Sequence, residues 1–137
     1  MSQPRVLLAD DHRETAELLC GLLESEFDVI GQVQDGLSLV VAAERLSPDV
    51  IVSDITMPGL DGISAAAAIL RRNPAARIVL VTVHSDPMVA QRGLETGALG
   101  YVLKPAAADE LVPAVHSALR GERHVSRLHT ARVNETL

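Results

Sequence analysis

The sequence predicts an α/β domain with a doubly wound sheet of five parallel strands. Two observations carry this. Short, continuous apolar runs recur along the chain, as in strands buried on both faces of a sheet. Segments with apolar residues at helical spacing separate them, and alternation of this kind repeated five times implies parallel strands with right-handed crossovers.

The elements follow in order. Arg5 to Ala9 is the first strand and runs into Asp10 and Asp11. Ala16, Leu19, Cys20 and Leu23 fall at i, i+3, i+4 and i+7 and give the first helix one apolar stripe. Phe27 to Val33 is a weaker strand, supported by β-branched Val29, Ile30 and Val33. Leu37 to Leu46 is the second helix, stopped by Ser47-Pro48. Asp49 to Ser53 is the third strand and delivers Asp54. Ile63 to Arg72 is alanine-rich, favours helix by propensity, and ends at Asn73-Pro74. Arg77 to Val81 is the fourth strand and ends in Thr82. Asp86 to Thr96 is a poorer helix, because Gly93 inside it costs about 1 kcal/mol relative to alanine. Gly100 to Leu103 is the fifth strand, followed by Lys104. Asp109 to Arg120 is the last helix, with Pro113 expected close enough to its first turn to be tolerated. Residues 1–121 form one domain in this reading. Residues 122–137 are a polar tail or linker, expected to form a short helix or stay loose, with Val125, Leu128 and Val133 its apolar anchors.

Composition narrows the function. The chain has 137 residues, 47% hydrophobic and 22% charged, as in an ordinary globular domain with a real core. Phe27 and Tyr101 are its only aromatic residues of the Phe, Trp and Tyr types, too few for a base-stacking platform. A net charge of -6 argues against direct nucleic-acid binding, which relies on positive patches. The single cysteine, Cys20, excludes an internal disulfide, fits a reducing compartment and falls on the apolar stripe of the first helix. No apolar run approaches the roughly 18 residues of a membrane span, and no signal peptide opens the chain, so a cytoplasmic location without membrane contact is expected. Of 12 basic residues, Lys104 is the one lysine, which suggests a site that wants a compact ammonium rather than a planar fork.

The chemistry gathers at one edge. In open α/β sheets, ligands bind beyond the carboxyl ends of the strands. Four of the five strands end there in a polar or charged group: Asp10 and Asp11, Asp54, Thr82, and Lys104. Carboxylates packed together need neutralisation, and a hard-oxygen set with room for water suits Mg²⁺ better than zinc. The ammonium and the hydroxyl then suit an incoming phosphoryl group. A carboxylate can itself be the nucleophile that accepts it. The pocket reads as one for phosphoryl transfer to an aspartate.

These residues carry a family resemblance. The chain resembles response-regulator receiver domains over about residues 4–121. The matching motifs are Ala9-Asp10-Asp11-His12, the run Ser53-Asp54-Ile55-Thr56-Met57-Pro58-Gly59-Leu60-Asp61-Gly62, Thr82, and Gly97-Ala98-Leu99-Gly100-Tyr101-Val102-Leu103-Lys104-Pro105. The last run is most similar to the subfamily that often precedes a helix-turn-helix DNA-binding domain. The resemblance implies a flavodoxin-like (βα)5 fold with strand order 2-1-3-4-5.

It also implies roles. Asp54 would be the phospho-acceptor, taking the group from a sensor histidine kinase or a phosphotransfer protein. Asp11 would bind Mg²⁺ directly, Asp10 largely through water, and Asp54 and the backbone carbonyl of Thr56 would complete the protein ligands. Lys104 would pair with phosphoryl oxygens, and its bond to Pro105 would be cis. Thr82 would bond a phosphoryl oxygen, and Tyr101 would then rotate inward. That movement would change the face made by the fourth helix, fifth strand and fifth helix (α4-β5-α5), used for a downstream protein partner or a homodimer. Gly93 would make the fourth helix an easily moved element. Thr56, Val83 and His84 would tune the phosphate lifetime, Val83 because it is bulkier than the small residue often found after the threonine. The chain would not be an enzyme acting on other molecules, but would catalyse its own phosphorylation and dephosphorylation.

Other readings of the same residues are weaker. A phosphatase of the haloacid-dehalogenase type places Asp-x-Asp after the first strand and usually carries a cap domain. Here the aspartates are adjacent and there is no length to spare. A receiver that binds partners without phosphorylation usually lacks the acceptor, the acidic pair or the lysine, and all are present. Output stays open between a stand-alone regulator and the receiver fragment of a longer helix-turn-helix transcriptional regulator. Asp61 is expected to cap the third helix, with Gly59 and Gly62 providing turn conformations. His12, His116, His124 and His129 are read as surface residues.

Overall fold

Alternation of side chains along the strands divides the interior into two layers. Val6, Leu8, Val50, Val52, Val79, Val81 and Val102 face one side of the sheet. Leu7, Ala9, Ile51, Ile78, Leu80 and Tyr101 face the other. Both layers are buried because helices cover both faces, which is why the strands read as unbroken apolar runs. The computed structural model describes residues 3–128.

The elements are β1 (Arg5–Ala9), α1 (Arg13–Glu24), β2 (Asp28–Val33), α2 (Gly36–Leu46), β3 (Val50–Asp54), α3 (Gly62–Arg72), β4 (Ile78–Thr82), α4 (Pro87–Glu95), β5 (Gly100–Leu103), α5 (Ala107–Leu119) and β6 (His124–Val125). The sheet order is β2-β1-β3-β4-β5-β6, and every pairing is parallel. Helices α1 and α5 cover the valine face through Leu19, Leu23, Leu111 and Val115. Helices α2, α3 and α4 cover the other through Leu39, Ile63, Ile69 and Ala90.

The predicted doubly wound order 2-1-3-4-5 is present, and a sixth strand extends it. Residues 124 and 125, expected within a polar tail, pair with Gly100 and Tyr101. Two residues are too short a stretch to leave a periodic signal. Val133 and His129 lie outside the described residues.

Two local expectations need correction. Helix α5 starts at Ala107, directly after a 3₁₀ turn over Lys104–Ala106, so Pro113 stands inside the helix and not near its first turn. Among the described residues no peptide bond is cis, so Lys104–Pro105 is trans. The 3₁₀ turn already takes the chain from β5 into α5, with Pro105 in its first turn, where a missing N–H is harmless.

Gly93 has a packing role beyond its helix propensity. A Cβ there would lie 2.8 Å from Leu80 Cδ1, so its absence lets α4 settle onto the sheet. Asp86 caps α4 by accepting the Met88 N–H, and Asp61 caps α3 by accepting the Ser64 N–H, as expected for Asp61.

Candidate functional site

The carboxyl ends of β1, β3 and β5 bring a lysine between two aspartates. Lys104 Nζ lies 3.1 Å from Asp54 Oδ2 and 3.1 Å from Asp10 Oδ2. The two aspartates are buried, with 2% of Asp10 and 4% of Asp54 exposed. Residues that carry charge this deep need partners. Asp54 Oδ1 accepts the Ile55 N–H at 2.7 Å, and Asp10 Oδ1 accepts the His12 N–H at 2.9 Å.

One oxygen each of Asp10, Asp11 and Asp54, with a ring nitrogen of His12, lie within 4.8 Å of one another. Asp10 Oδ2 and Asp11 Oδ1 are buried without a hydrogen bond of proper geometry. Their near neighbours are electrostatic contacts only: Lys104 for Asp10, and His12 Nδ1 at 3.0 Å for Asp11. Three carboxylates facing one ammonium leave negative charge uncompensated. Orphaned buried oxygens of this kind are what a hard divalent cation takes up, so the donor set fits a metal.

Electrostatics set the protonation. Burial pushes the Asp54 carboxyl above its ordinary pKa, the Lys104 ammonium draws it back in part, and the Asp10 charge adds to the rise. Burial works against the charge of Lys104, yet its hydrogen bond to Asp54 and the close Asp10 carboxylate outweigh it and raise the lysine pKa. Lys104 therefore stays an ammonium at neutral pH.

Backbone approach fixes the loop after Asp54. A Cβ on Gly62 would lie 1.9 Å from the Asp54 carbonyl oxygen, so only glycine lets the start of α3 rest on the strand end. Gly59 takes a φ of +72° and supplies the left-handed turn expected of it; Gly62 is needed for closeness instead.

Thr82, at the end of β4, is fully buried, and its Oγ1 accepts the His84 N–H at 3.1 Å. Thr56 Oγ1 and His84 Nε2 are 3.0 Å apart and tie the loops after β3 and β4 together. Val83, between them in the chain, stands 67% exposed. Tyr101 differs from expectation in its starting position. Its ring is already wholly buried, in the space beside Gly93, and its hydroxyl donates to the His84 carbonyl at 2.7 Å.

The site thus gathers Asp10, Asp11, Asp54 and Lys104, with Thr82, Thr56, His84 and Tyr101 in a second connected group. His12 is exposed, as its surface reading expected, but sequence reasoning missed its place beside Asp11. Its one signal was adjacency to the acidic pair. Cys20 is half-buried against the α1–α5 layer, where Gln32 Nε2 lies 3.3 Å from its Sγ.

A family model, the response regulator receiver domain, matches residues 6–116. The chain belongs to that family. Among curated relatives of this receiver domain, the transcriptional regulatory protein LiaR of Bacillus subtilis is 41% identical over 120 residues, covering 86% of this chain and 57% of LiaR. The transcriptional regulatory protein DegU of Brevibacillus brevis is 33% identical over 123 residues, covering 88% of this chain and 52% of DegU. The receiver domain thus spans little more than half the length of either relative. A two-component response regulator of the LuxR family from Aurantimonas has the same fold, with a TM-score of 0.88 and 32% identity over 98% of this chain and 99% of that one. The signal receiver domain of the putative response regulator NarL from Mycobacterium tuberculosis gives 0.83 and 31%, over 89% of this chain and 100% of that one. Among the described residues, no helix is long and apolar enough to cross a membrane.

Proposed function

We propose that this receiver domain takes a phosphoryl group from the phosphohistidine of a sensor histidine kinase, or of a phosphotransfer protein, onto Asp54. The observation that carries this reading is the Lys104 ammonium held 3.1 Å from both Asp54 and Asp10, beside orphaned carboxylate oxygens of Asp10 and Asp11. An Asp54 carboxylate oxygen attacks phosphorus, the O–P bond forms, and the N–P bond of the donor breaks. The donor imidazole leaves with the electron pair and recovers a proton from solvent. Lys104 leaves its carboxylate partners in part to meet the phosphoryl oxygens, and Thr82 turns its hydroxyl toward them. Asp10, Asp11, Asp54 and the Thr56 carbonyl would hold Mg²⁺, which would supply the charge neutralisation that a second anion beside three carboxylates requires.

The chain is, in this reading, a self-modifying switch and not an enzyme acting on other molecules. Thr56, Val83 and His84 set how quickly water reaches the aspartyl phosphate. Tyr101 and Thr82 pass the added charge to the α4-β5-α5 face, which serves a protein partner or a second copy. Cytoplasmic residence follows from the kinase partner. The names and greater lengths of LiaR and DegU support a second reading of output alone, in which the domain governs a transcriptional regulator.

The test is intact mass after incubation with acetyl phosphate, with and without Mg²⁺, beside Asp54→Asn. One added phosphoryl group that needs both Mg²⁺ and Asp54 supports the reading. Its absence from a folded, Mg²⁺-loaded chain, repeated with a kinase donor, overturns it in favour of a phosphorylation-independent binding module.

A further inference from the structure

The α4-β5-α5 face does not stand open. The chain leaves α5 through Gly121, whose φ of +74° favours glycine, and returns along β5 as β6. Without this return β5 would be a bare sheet edge, with unpaired N–H and C=O groups. The His124 N–H donates to the Leu99 carbonyl at 3.0 Å, and the Ser126 N–H donates to the Tyr101 carbonyl at 2.8 Å. Ser126 is buried, and its hydroxyl accepts the Leu103 N–H at 3.1 Å while donating to Glu110 Oε1 at 2.7 Å. His124 Nε2 lies 2.9 Å from the same Glu110 oxygen. Beyond them, Leu128 packs against the apolar layer under α4, in a groove it shares with Pro87, Ala90 and Leu94.

We infer that residues 122–128 are an intramolecular latch over the α4-β5-α5 face, and that a phosphoryl group on Asp54 releases it. The second half rests on the acceptor role proposed for Asp54. Of the three backbone anchors, the Leu99 and Tyr101 carbonyls and the Leu103 N–H, two lie against the proposed switch. Tyr101 holds Ser126 by its carbonyl while its own hydroxyl is tied to His84, two residues past Thr82. Leu103 holds Ser126 by its N–H and is the residue before Lys104. Any shift of Lys104 toward phosphoryl oxygens pulls on the Leu103 anchor, and any shift of Thr82 reaches Tyr101 through His84. A two-residue strand held mainly at Ser126 and Glu110 is a small unit that opens locally without unfolding the domain.

The experiment follows amide exchange in the full 137-residue chain. With Mg²⁺ and acetyl phosphate, and intact mass read on the same sample, the amides of Leu103, His124 and Ser126 exchange faster, while those of β1 and β3 keep their rates. A gain of roughly 5- to 150-fold is expected, the usual size of coupling between sites. Glu110→Gln and Ser126→Ala accelerate the same amides without any donor. By reciprocity they also tighten the binding of beryllofluoride, a phosphoryl mimic, with Mg²⁺. A phosphorylated chain whose latch amides keep their protection overturns the inference and leaves the acceptor role standing. Variants that leave those amides protected overturn the latch itself. A chain that takes up no phosphoryl group removes the acceptor role, and the coupling with it.

Discussion

The Tyr101 hydroxyl donates to the His84 carbonyl across 2.7 Å, with the tyrosine ring wholly buried. This single bond ties β5 to the loop after β4, the loop whose next contacts are Thr82 and Thr56. The burial of the ring has a direct optical consequence. Burial, aided by the negative charge of Asp86, pushes the Tyr101 hydroxyl up to about 12.

Because Tyr101 is the only tyrosine in the chain, its ionisation can be read by ultraviolet absorbance without interference. The midpoint is expected near 12, well above an ordinary tyrosine. The sign for stability follows from the raised value. The folded chain holds the proton more tightly than the unfolded chain, so the contribution is intact below the ordinary value near 10. It is lost as pH rises through about 12, and amounts to about 2–3 kcal/mol. A midpoint near 10 in a chain still folded would place the ring outside.

The contact between Thr56 and His84 makes a second prediction about phosphate lifetime. The pair bridges the loops after β3 and β4 beside Asp54, and both residues are exposed, so water reaches the pocket past them. His84→Ala removes the bridge and is expected to shorten the lifetime of the aspartyl phosphate several-fold, with the fold unchanged. Val83→Ala tests the neighbouring position. Loss of phosphate can be followed by mass after the donor is removed, and identical decay in parent and variants would dismiss both roles.

Much of this was legible in the sequence, for physical reasons that particular residues illustrate. Strands buried on both faces cannot hide, so β1, β3 and β4 read directly as apolar runs. Polar groups at their ends then fall on one edge by topology alone, which places Asp10, Asp54 and Lys104 together. Contacts that depend on shape were not legible. No pattern around Gly62 tells that its Cβ would strike the Asp54 carbonyl, and nothing marks Gly93 as space for Leu80 and Tyr101. Strand β6 was missed because two residues carry no period, and its anchor, Ser126, binds Glu110 from 16 residues away. Pro113 was misplaced because helix starts are set by caps, and Ala106 carries no side-chain cap to announce one.

Gly62 offers a direct test of how Asp54 is held. Gly62→Ala would put a methyl group 1.9 Å from the Asp54 carbonyl oxygen, a backbone atom that cannot yield cheaply. The start of α3 must move away from β3, at a cost of about 3 kcal/mol or more. Denaturant unfolding is expected to show this loss, together with reduced phosphoryl uptake at Asp54. An equal substitution at Gly21, where a Cβ meets nothing within 4 Å, should leave uptake unchanged. If Gly62→Ala matched the Gly21 control, close backbone packing would not be what positions Asp54.

Asp54 itself is expected to weaken the fold that carries it. Its raised pKa, caused first by burial and then by the neighbouring Asp10 charge, means that the folded chain disfavours the carboxylate despite Lys104. The stability it contributes is fully present below the ordinary aspartate value and is lost as pH rises through the folded one, so neutral buffer is the unfavourable side. Asp54→Asn removes that charge and should raise Tm by a few degrees in EDTA at neutral pH. Mg²⁺ should then raise Tm in the parent more than in the variant, since the variant has lost one of three carboxylates that would hold it. Thermal unfolding of both chains, with EDTA and with Mg²⁺, reads the two effects separately. A variant less stable than the parent in EDTA would mean that the pairing with Lys104 outweighs burial, and an equal response to Mg²⁺ would remove Asp54 from the metal site.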